Sequence, residues 1–407
     1  MTVSRGTEVD AELAETVARA RRGSEFFRTL LAGAPEVRSV ADLPALPFTT
    51  KEQLRAAYPF GWTCVPPREV LRVHASSGTT GRRILCTYTR HDLDDWVTMF
   101  ARCLDVAGVT AEDRVQLMVG YGLWTAGWGF QSAAERVGAM AIPSGPGNTE
   151  LQLELMVDLG TTVMCATSSF ALLMGERAAA SGLRDALGLR VGIFGSERWS
   201  ELTRSRIEEL LGLRAFDLYG LTELWGPGAG IECVHRTGMH VWTDHFLVEI
   251  VDPVTLAPVP DGVEGEIVVT TLRKQATPLL RYRTRDLSAL DRSPCPCGSP
   301  FPRLARLTGR TDDMVKARGV SFFPAQVEHV ISTVEGATGE YRIELDRDGS
   351  GDVVRVLLEA PDGPGLAADV AARLRTEIGL RADVGVLEPG TLPRSERKTA
   401  RVVDARR

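Results

Sequence analysis

From residue 113 to about 220 the chain alternates between two hydrophobic periods. Short apolar runs at 115–120 (VQLMVG), 139–145 (AMAIPSG), 161–167 (TTVMCAT), 189–195 (LRVGIFG) and 213–220 (LRAFDLYG) have the length and bounding residues of buried strands. Between most of them lie amphipathic stretches, such as ELQLELMVDLG at 150–160 and SELTRSRIEELLG at 200–212, whose apolar residues recur at helical spacing. Strand–helix alternation of this kind predicts an α/β fold, a mostly parallel sheet covered by helices. Upstream, residues 10–45 read as helical and run into the proline-bounded stretch LPALPFTTKEQL. From about 240 to 292 the helices drop out. HVWTDHFLVEIV, GEIVVTTL and LLRYRTRDLSAL read as successive strands of an antiparallel β-subdomain, taken to span about 240–308.

After a Gly-Arg-Thr-Asp-Asp segment at 309–313 the pattern changes again. MVKARGV is followed by a helix near 324–333, two strands at 341–349 and 352–360, a helix near 364–379 and a last strand, DVGVLE. This order fits a small α+β domain. The expected division is a large domain at 1–311 and a small mobile one at 312–407, with the boundary at Thr311–Asp313.

The 407 residues are 44% apolar and 25% charged, which suits a packed enzyme and argues against disorder. Net charge is −6, and no basic stripe with interleaved aromatics points to a nucleic acid. The polar N-terminus lacks a leader's apolar core, and the apolar runs are too short to span a bilayer, so a cytoplasmic protein is expected. Seven unevenly scattered cysteines do not form a disulfide framework. Only four of the 47 cationic residues are lysines: Lys51, Lys274, Lys316 and Lys398. Where arginine is the norm, a surviving lysine marks a position at which the wider guanidinium cannot serve.

The sharpest local signal is His74-Ala75-Ser76-Ser77-Gly78-Thr79-Thr80-Gly81-Arg82. Two glycines let main-chain N–H groups approach an anion, four hydroxyls can donate to phosphate oxygens, and Arg82 adds fixed charge. The glycine spacing differs from G-x-x-x-x-G-K-[ST], and a strand-like ILCTYT follows, so a hairpin carrying the loop is expected. The plain alternative is an ordinary Ser/Thr/Gly turn.

Ser-Ser-Gly-Thr-Thr-Gly resembles the phosphate loop of the adenylate-forming superfamily, which includes acyl-CoA synthetases, adenylation domains and luciferases. The wider stretch LPFTTKEQLRAAYPFG to VLRVHASSGTTG is similar to the phenylacetate–coenzyme A ligase branch. Arg82 stands where that family usually has lysine. Further motifs occur in the family's order. Asp217-Leu218-Tyr219-Gly220-Leu221-Thr222-Glu223 resembles its aromatic-Gly-x-[ST]-Glu motif. Phe194-Gly195-Ser196-Glu197-Arg198-Trp199 resembles its adenine-edge loop, with Arg198 in place of proline. Arg281-Tyr282-Arg283-Thr284-Arg285-Asp286 matches Tyr-Arg-Thr-x-Asp, and Gly309 to Asp313 with Lys316 and Gly319 matches the hinge. Leu392 to Lys398 resembles Pro-Arg-[ST]-x-Gly-Lys, with Arg397 in place of glycine.

The resemblance implies an ATP-dependent ligase that converts a carboxylic acid to an acyl-adenylate and passes the acyl group to coenzyme A. It implies that Tyr219 stacks on adenine, Thr222 contacts phosphate and Glu223 holds Mg²⁺. Asp286 would accept both ribose hydroxyls, Arg310 would lie near the ribose, and Asp312 would be the pivot of the small domain. Lys398 would bridge the substrate carboxylate and the α-phosphate. Ser196, Glu197, Asp217, Leu218 and Gly220 complete the expected nucleotide site. Tyr121-Gly122-Leu123-Trp124 resembles the segment beside an aromatic acid, and with Gly195 and Gly220 it defines the expected acyl pocket. Trp128 and Trp225 are nearby in the motifs. Phenylacetate-like acids or substituted benzoates are the expected substrates.

Cys233, His240, Cys295 and Cys297 offer four soft ligands with a Cys-Pro-Cys-Gly knuckle, a pattern for structural zinc that some members of the branch share. His235 is a rival ligand, and buried core cysteines are the plain alternative. Another acceptor (an amine, a hydroxyl or a carrier thiol) in a specialised biosynthetic pathway stays open, as does a nucleotide-binding protein without catalysis. The resemblance also implies a homodimer, although no sequence feature marks an interface.

Overall fold

A computed structural model describes residues 2–76, 82–348, 351–361, 364–393 and 401–406. Ser77, Gly78, Thr79, Thr80 and Gly81 of the phosphate loop, and Arg397 and Lys398 near the C-terminus, lie outside the described residues. The chain forms two compact units that interleave along the sequence. One comprises Met1–Gly145, Val163–Cys165 and Phe216–Arg306. The other comprises Pro146–Thr162, Ala166–Ala215 and Leu307–Arg407. Among the described residues no helix is long and apolar enough to cross a membrane.

In the first unit, helices Thr2–Gly23 and Glu25–Leu30 and a 3₁₀ turn at Val40–Ala45 occupy most of the stretch read as helical. The expected hairpin follows: Arg72–Ala75 pairs antiparallel with Leu85–Tyr88, His74 opposite Cys86. Thr89 then caps helix Arg90–Val106 by a reciprocal pair with Asp92. Asp92 is fully buried and also accepts from the main-chain N–H groups of Gln275 and Ala276, at 2.6 and 3.0 Å. One capping carboxylate therefore ties this helix to the segment around Lys274. Strand Arg114–Leu117 pairs in parallel with both Met140–Ile142 and Val163–Ala166, as the alternating pattern predicts, with helix Thr125–Val137 as a crossover.

Strand Arg214–Leu221 turns back as Gly226–Glu232 in an antiparallel pair. Sequence reading misses the returning strand because Gly-Pro-Gly-Ala-Gly signals a turn. Its glycines allow close packing. A Cβ on Gly220 would lie 2.2 Å from the Gly226 carbonyl oxygen, and one on Gly228 would lie 2.6 Å from the Phe100 ring. HVWTDHFLVEIV is two strands rather than one. Met239–Val241 joins Gly226–Glu232 and Arg303–Leu304, while Phe246–Val251 starts a separate antiparallel set with Gly265–Thr271 and Tyr282–Ser288. A turn closed by His245 N–H on the Trp242 carbonyl at 2.9 Å breaks the run.

In the second unit, helices Thr149–Asp158, Ser168–Ala180 and Glu201–Leu211 accompany strand Val191–Gly195. Residues 312–407 fall in this unit. There a hairpin (Val315–Ala317 with Val320–Phe322) precedes helix Pro324–Ser332 and an α+β layer. Its sheet runs Asp383–Leu387, Gly351–Glu359, Tyr341–Asp348, Val402–Asp404. DVGVLE is therefore not the last strand: Val402–Asp404 pairs in parallel with Tyr341–Asp348. The core of this layer includes Val327, Val330, Ile331, Ile343, Val356 and Leu374, with Leu202 packed against it.

Arg401 anchors that final strand. Its guanidinium binds Glu340 at 2.7 and 3.0 Å and lies 5.0 Å from the Tyr341 ring centroid. Glu340 is 3% exposed. Arg401→Ala would remove the two-point guanidinium partner of that buried carboxylate, at a cost of about 3–5 kcal/mol. Urea denaturation is expected to show this loss, and much less for Arg401→Met combined with Glu340→Leu.

Candidate active site

The strand Arg214–Leu221 presents its motif at a hairpin end. Thr222–Leu224 form a 3₁₀ turn, Trp225 takes a left-handed φ of 87°, and the chain returns at Gly226. Thr222 is half-buried and Glu223 is 4% exposed. The turn is gripped from within the unit. Tyr88 Oη donates to the Trp225 carbonyl at 2.7 Å and reaches the Thr222 carbonyl at 3.3 Å. Lys274 Nζ donates to the Glu223 carbonyl at 2.8 Å. Lys274 is fully buried, 5.1 Å from the Tyr88 ring centroid and 5.4 Å from that of Trp225. Burial lowers its ammonium below the ordinary value and raises the Tyr88 phenol well above its own. Sequence reading placed Lys316 and Lys398 in motifs and left Lys274 unassigned. The scarcity of lysine was the signal available for it.

Tyr219 and Asp286, 67 residues apart, come together: the phenol donates to Asp286 Oδ2 at 2.9 Å. Both are buried. The arginines of the Asp286 motif have structural work. Arg281 binds Glu249 at 2.9 and 3.2 Å and the carbonyls of Pro44 and Leu46, while Arg283 binds the fully buried Glu266 at 2.6 Å. These ties hold the strand that carries Asp286.

At the hairpin base, Ser76 Oγ accepts the Ile84 N–H at 3.0 Å, and Ser76 N donates to the Ile84 carbonyl at 3.0 Å. Ser76 thus closes the neck of the loop. Arg82 is exposed, with its guanidinium 4.8 Å from the Tyr58 ring centroid. On the preceding strand, His74 is 1% exposed and its Nδ1 lies 3.2 Å from the Leu123 carbonyl.

The expected acyl segment is an aromatic corner in the same unit. The Tyr121 and Trp128 rings meet edge to face at 5.6 Å, and Tyr121 Oη donates to Gln131 at 3.1 Å. A Cβ on Gly127 would lie 2.7 Å from the Tyr121 ring, so glycine makes room for it. Trp124 is 43% exposed, beside Gly120, and Trp128 is 38% exposed with its indole N–H donating to the Gly122 carbonyl at 3.3 Å. Trp225 differs: it is fully buried under the turn and packs as core.

In the second unit, Gly195 is buried at the end of its strand and Ser196 takes a φ of 72°. The Glu197 carboxylate caps helix Ser168–Ala180, accepting from Ser169 N at 2.6 Å and Ser168 Oγ at 3.1 Å. Arg198 donates to the Thr308 carbonyl and to Glu328 Oε2, both at 2.5 Å. Arginine at the place of proline therefore ties this loop to helix Pro324–Ser332. Arg310 pairs with Asp312 at 2.9 Å.

Cys233, His240, Cys295 and Cys297 converge, with their ligand atoms all within 4.8 Å of one another. The Cys233 and Cys295 sulfurs are 3.7 Å apart, and Cys297 Sγ is 3.2 Å from His240 Nε2. His240 Nδ1 donates to the Phe301 carbonyl at 2.9 Å, which leaves the Nε2 lone pair facing the sulfurs. His235 is exposed on the adjoining turn and is not part of the cluster.

Residues 34–272 match the AMP-binding enzyme family, and residues 319–406 match the AMP-binding enzyme C-terminal domain. The chain is 40% identical to the phenylacetate–coenzyme A ligase of Escherichia coli (strain K12) over 383 residues, covering 91% of this chain and 87% of that protein. It is 41% identical to the enzyme of the same name from Aromatoleum evansii over 384 residues, covering 91% and 87%. A crystal structure of 2-hydroxyisobutyryl-CoA ligase, in the postadenylation state in complex with R3-HIB-AMP, superposes with a TM-score of 0.89 at 26% identity, over 100% of this chain and 90% of that one.

Burial holds His74 down to about 4, against the pull of the Leu123 carbonyl. Between that value and the ordinary one near 6.5 the unfolded chain binds more protons, so stability is complete above this window and falls as pH drops through it. The loss is on the order of 2–3 kcal/mol. Melting curves from pH 7 to 4 are expected to fall more steeply for the native chain than for His74→Gln.

Proposed function

Because the chain belongs to the phenylacetate–coenzyme A ligase branch of the AMP-binding enzymes, and so is an AMP-forming acid–coenzyme A ligase, we propose that its acid is aromatic, a phenylacetate or a substituted benzoate. The observation that carries the proposal is the open corner of Tyr121, Trp124 and Trp128 in a chain 40% identical to phenylacetate–coenzyme A ligase. Planar aromatic walls favour a planar acid by stacking.

The reaction has two steps. A carboxylate oxygen attacks the α-phosphorus of ATP, the bond to the β-phosphate oxygen breaks, and pyrophosphate leaves. The coenzyme A thiol, losing its proton, then attacks the acyl carbon, and AMP leaves with the former carboxylate oxygen. Negative charge crowds the first step, so positioning and electrostatic stabilisation dominate. In this reading Tyr219 packs on adenine, and its bond to Asp286 orients that carboxylate toward the ribose. Thr222 and the hydroxyls and N–H groups of the 76–82 loop hold phosphate, with Arg82 supplying charge. Lys398 bridges the two reacting groups. Arg310 and Asp312 form the hinge at a domain boundary near 311, and closure of residues 312–407 delivers Lys398.

The Glu223 carboxylate suits Mg²⁺. It is a hard oxygen donor, 4% exposed, and no described residue hydrogen-bonds it. Bound there, the cation would neutralise charge on the departing pyrophosphate. The sulfur–nitrogen cluster suits zinc: bonds of about 2.3 Å in a tetrahedron place two sulfurs about 3.8 Å apart. The Cys233–Cys295 separation is 3.7 Å. Four protein ligands would leave no open position, so a zinc held by Cys233, His240, Cys295 and Cys297 would be structural.

Pyrophosphate release with aryl and aliphatic acids, each with and without coenzyme A, tests the substrate class. Aryl acids are expected to lead, and aliphatic acids outperforming every aromatic would overturn the proposal. Lys398→Ala is expected to lower adenylation by two orders of magnitude or more, roughly the worth of one transition-state contact. It should leave thioester formation from supplied acyl-adenylate largely intact. Purified protein should carry stoichiometric zinc, lost in Cys295→Ser with a lower melting temperature. A zinc-free chain unaffected by chelators would remove the metal.

A further inference from the structure

We propose that Lys274 is a positioning residue for nucleotide activation: from inside the core it fixes the turn that presents Thr222 and Glu223. The inference rests on the ligase reading above.

Lys274 has no exposed surface, and among the described residues it forms no ion pair. Its ammonium has one strong partner, the Glu223 carbonyl at 2.8 Å, and two aromatic faces, Tyr88 and Trp225. A buried ammonium is costly, and leucine or methionine would fill the same space without that penalty. What lysine adds here is a compact donor with positive charge beneath a turn that faces phosphate. Arginine, favoured almost everywhere else in this chain, needs room for a planar fork, and the two flanking rings deny it.

Tyr88 acts on the same turn through the carbonyls of Thr222 and Trp225. The left-handed Trp225 backbone is a conformation that a bulky residue keeps only when its surroundings over-determine it. Lys274 and Tyr88 supply those constraints, holding the carbonyls of Thr222, Glu223 and Trp225 within one short segment. If Lys274 is lost, the Glu223 peptide can rotate, carrying the carboxylate and the Thr222 hydroxyl with it. A misplacement of about 1 Å at such groups costs on the order of 100-fold in rate.

The test uses the full chain with Lys274→Met, Lys274→Arg, Tyr88→Phe and the Lys274→Met/Tyr88→Phe pair. Calorimetry measures ATP affinity with and without Mg²⁺, alongside AMP affinity, and pyrophosphate release gives kcat. Lys274→Met is expected to lower kcat about 100-fold. It should weaken Mg²⁺-dependent ATP binding more than AMP binding, and Lys274→Arg should not restore either. Tyr88→Phe, which keeps the ring, should show a smaller loss of the same kind, and the double variant should lose less than the product of the two, because both act on one turn. ATP binding and kcat unchanged in Lys274→Met, or a uniform loss of ATP and AMP affinity tracking a fall in melting temperature, would overturn the proposal. If Lys274→Met does not fold, Tyr88→Phe decides through the same ratio of ATP to AMP affinity. If no acid supports pyrophosphate release in the native chain, the ligase reading fails, while the calorimetric comparison still judges Lys274.

Discussion

The hairpin end at Leu221–Gly226 is the constraint on which the site depends. A strand ends there, and the chain must reverse within a few residues while placing a half-buried threonine and a buried glutamate side by side. The backbone conformation that achieves this is unfavourable for Trp225. It persists because the carbonyls of Thr222, Glu223 and Trp225 are held by buried donors, Tyr88 and Lys274. Strand geometry brings Thr222 and Glu223 to the hairpin end, and buried polar bonds fix where they stop.

Those donors are themselves fixed by other elements. Tyr88 ends the second strand of the hairpin that carries the phosphate loop, opposite Arg72 and away from the loop, so that hairpin and the Thr222–Trp225 turn are joined through one residue. Lys274 lies in a segment tied by Asp92 to the start of helix Arg90–Val106. Asp286 enters on a third strand, held by the Arg281–Glu249 and Arg283–Glu266 pairs, and meets Tyr219 from the same strand as the turn. The first unit thus gathers the side chains of its 217–223 and 281–286 motifs by buried hydrogen bonds between elements distant in sequence, a network in which each member stabilises the placement of the next.

Much of this was legible in the residues. Strand–helix alternation foretold the parallel strands, and the serine–glycine–threonine run foretold a loop on a hairpin. The chemistry of Cys233, His240, Cys295 and Cys297 foretold their convergence, although 62 residues separate the first and third. The rest escaped for physical reasons. Gly226–Glu232 is strand because its glycines admit Phe100 and a neighbouring backbone, a tertiary fact that local propensity reads as a turn. Val402–Asp404 is too short to carry a periodic signal. Lys274 was countable but not interpretable, since its meaning comes from burial between two rings. Arg198, a departure from the expected proline, acquires a role only when Glu328 and the Thr308 carbonyl are brought beside it.

The central claim is that the carboxylate of the acid attacks the α-phosphorus of ATP. Acid labelled with oxygen-18 in its carboxylate tests this most directly, with the products analysed by mass spectrometry after turnover with ATP and coenzyme A. The account predicts one labelled oxygen in AMP, none in pyrophosphate, and a thioester retaining the other. Label in inorganic phosphate or pyrophosphate, or a thioester formed with unlabelled AMP, would contradict it.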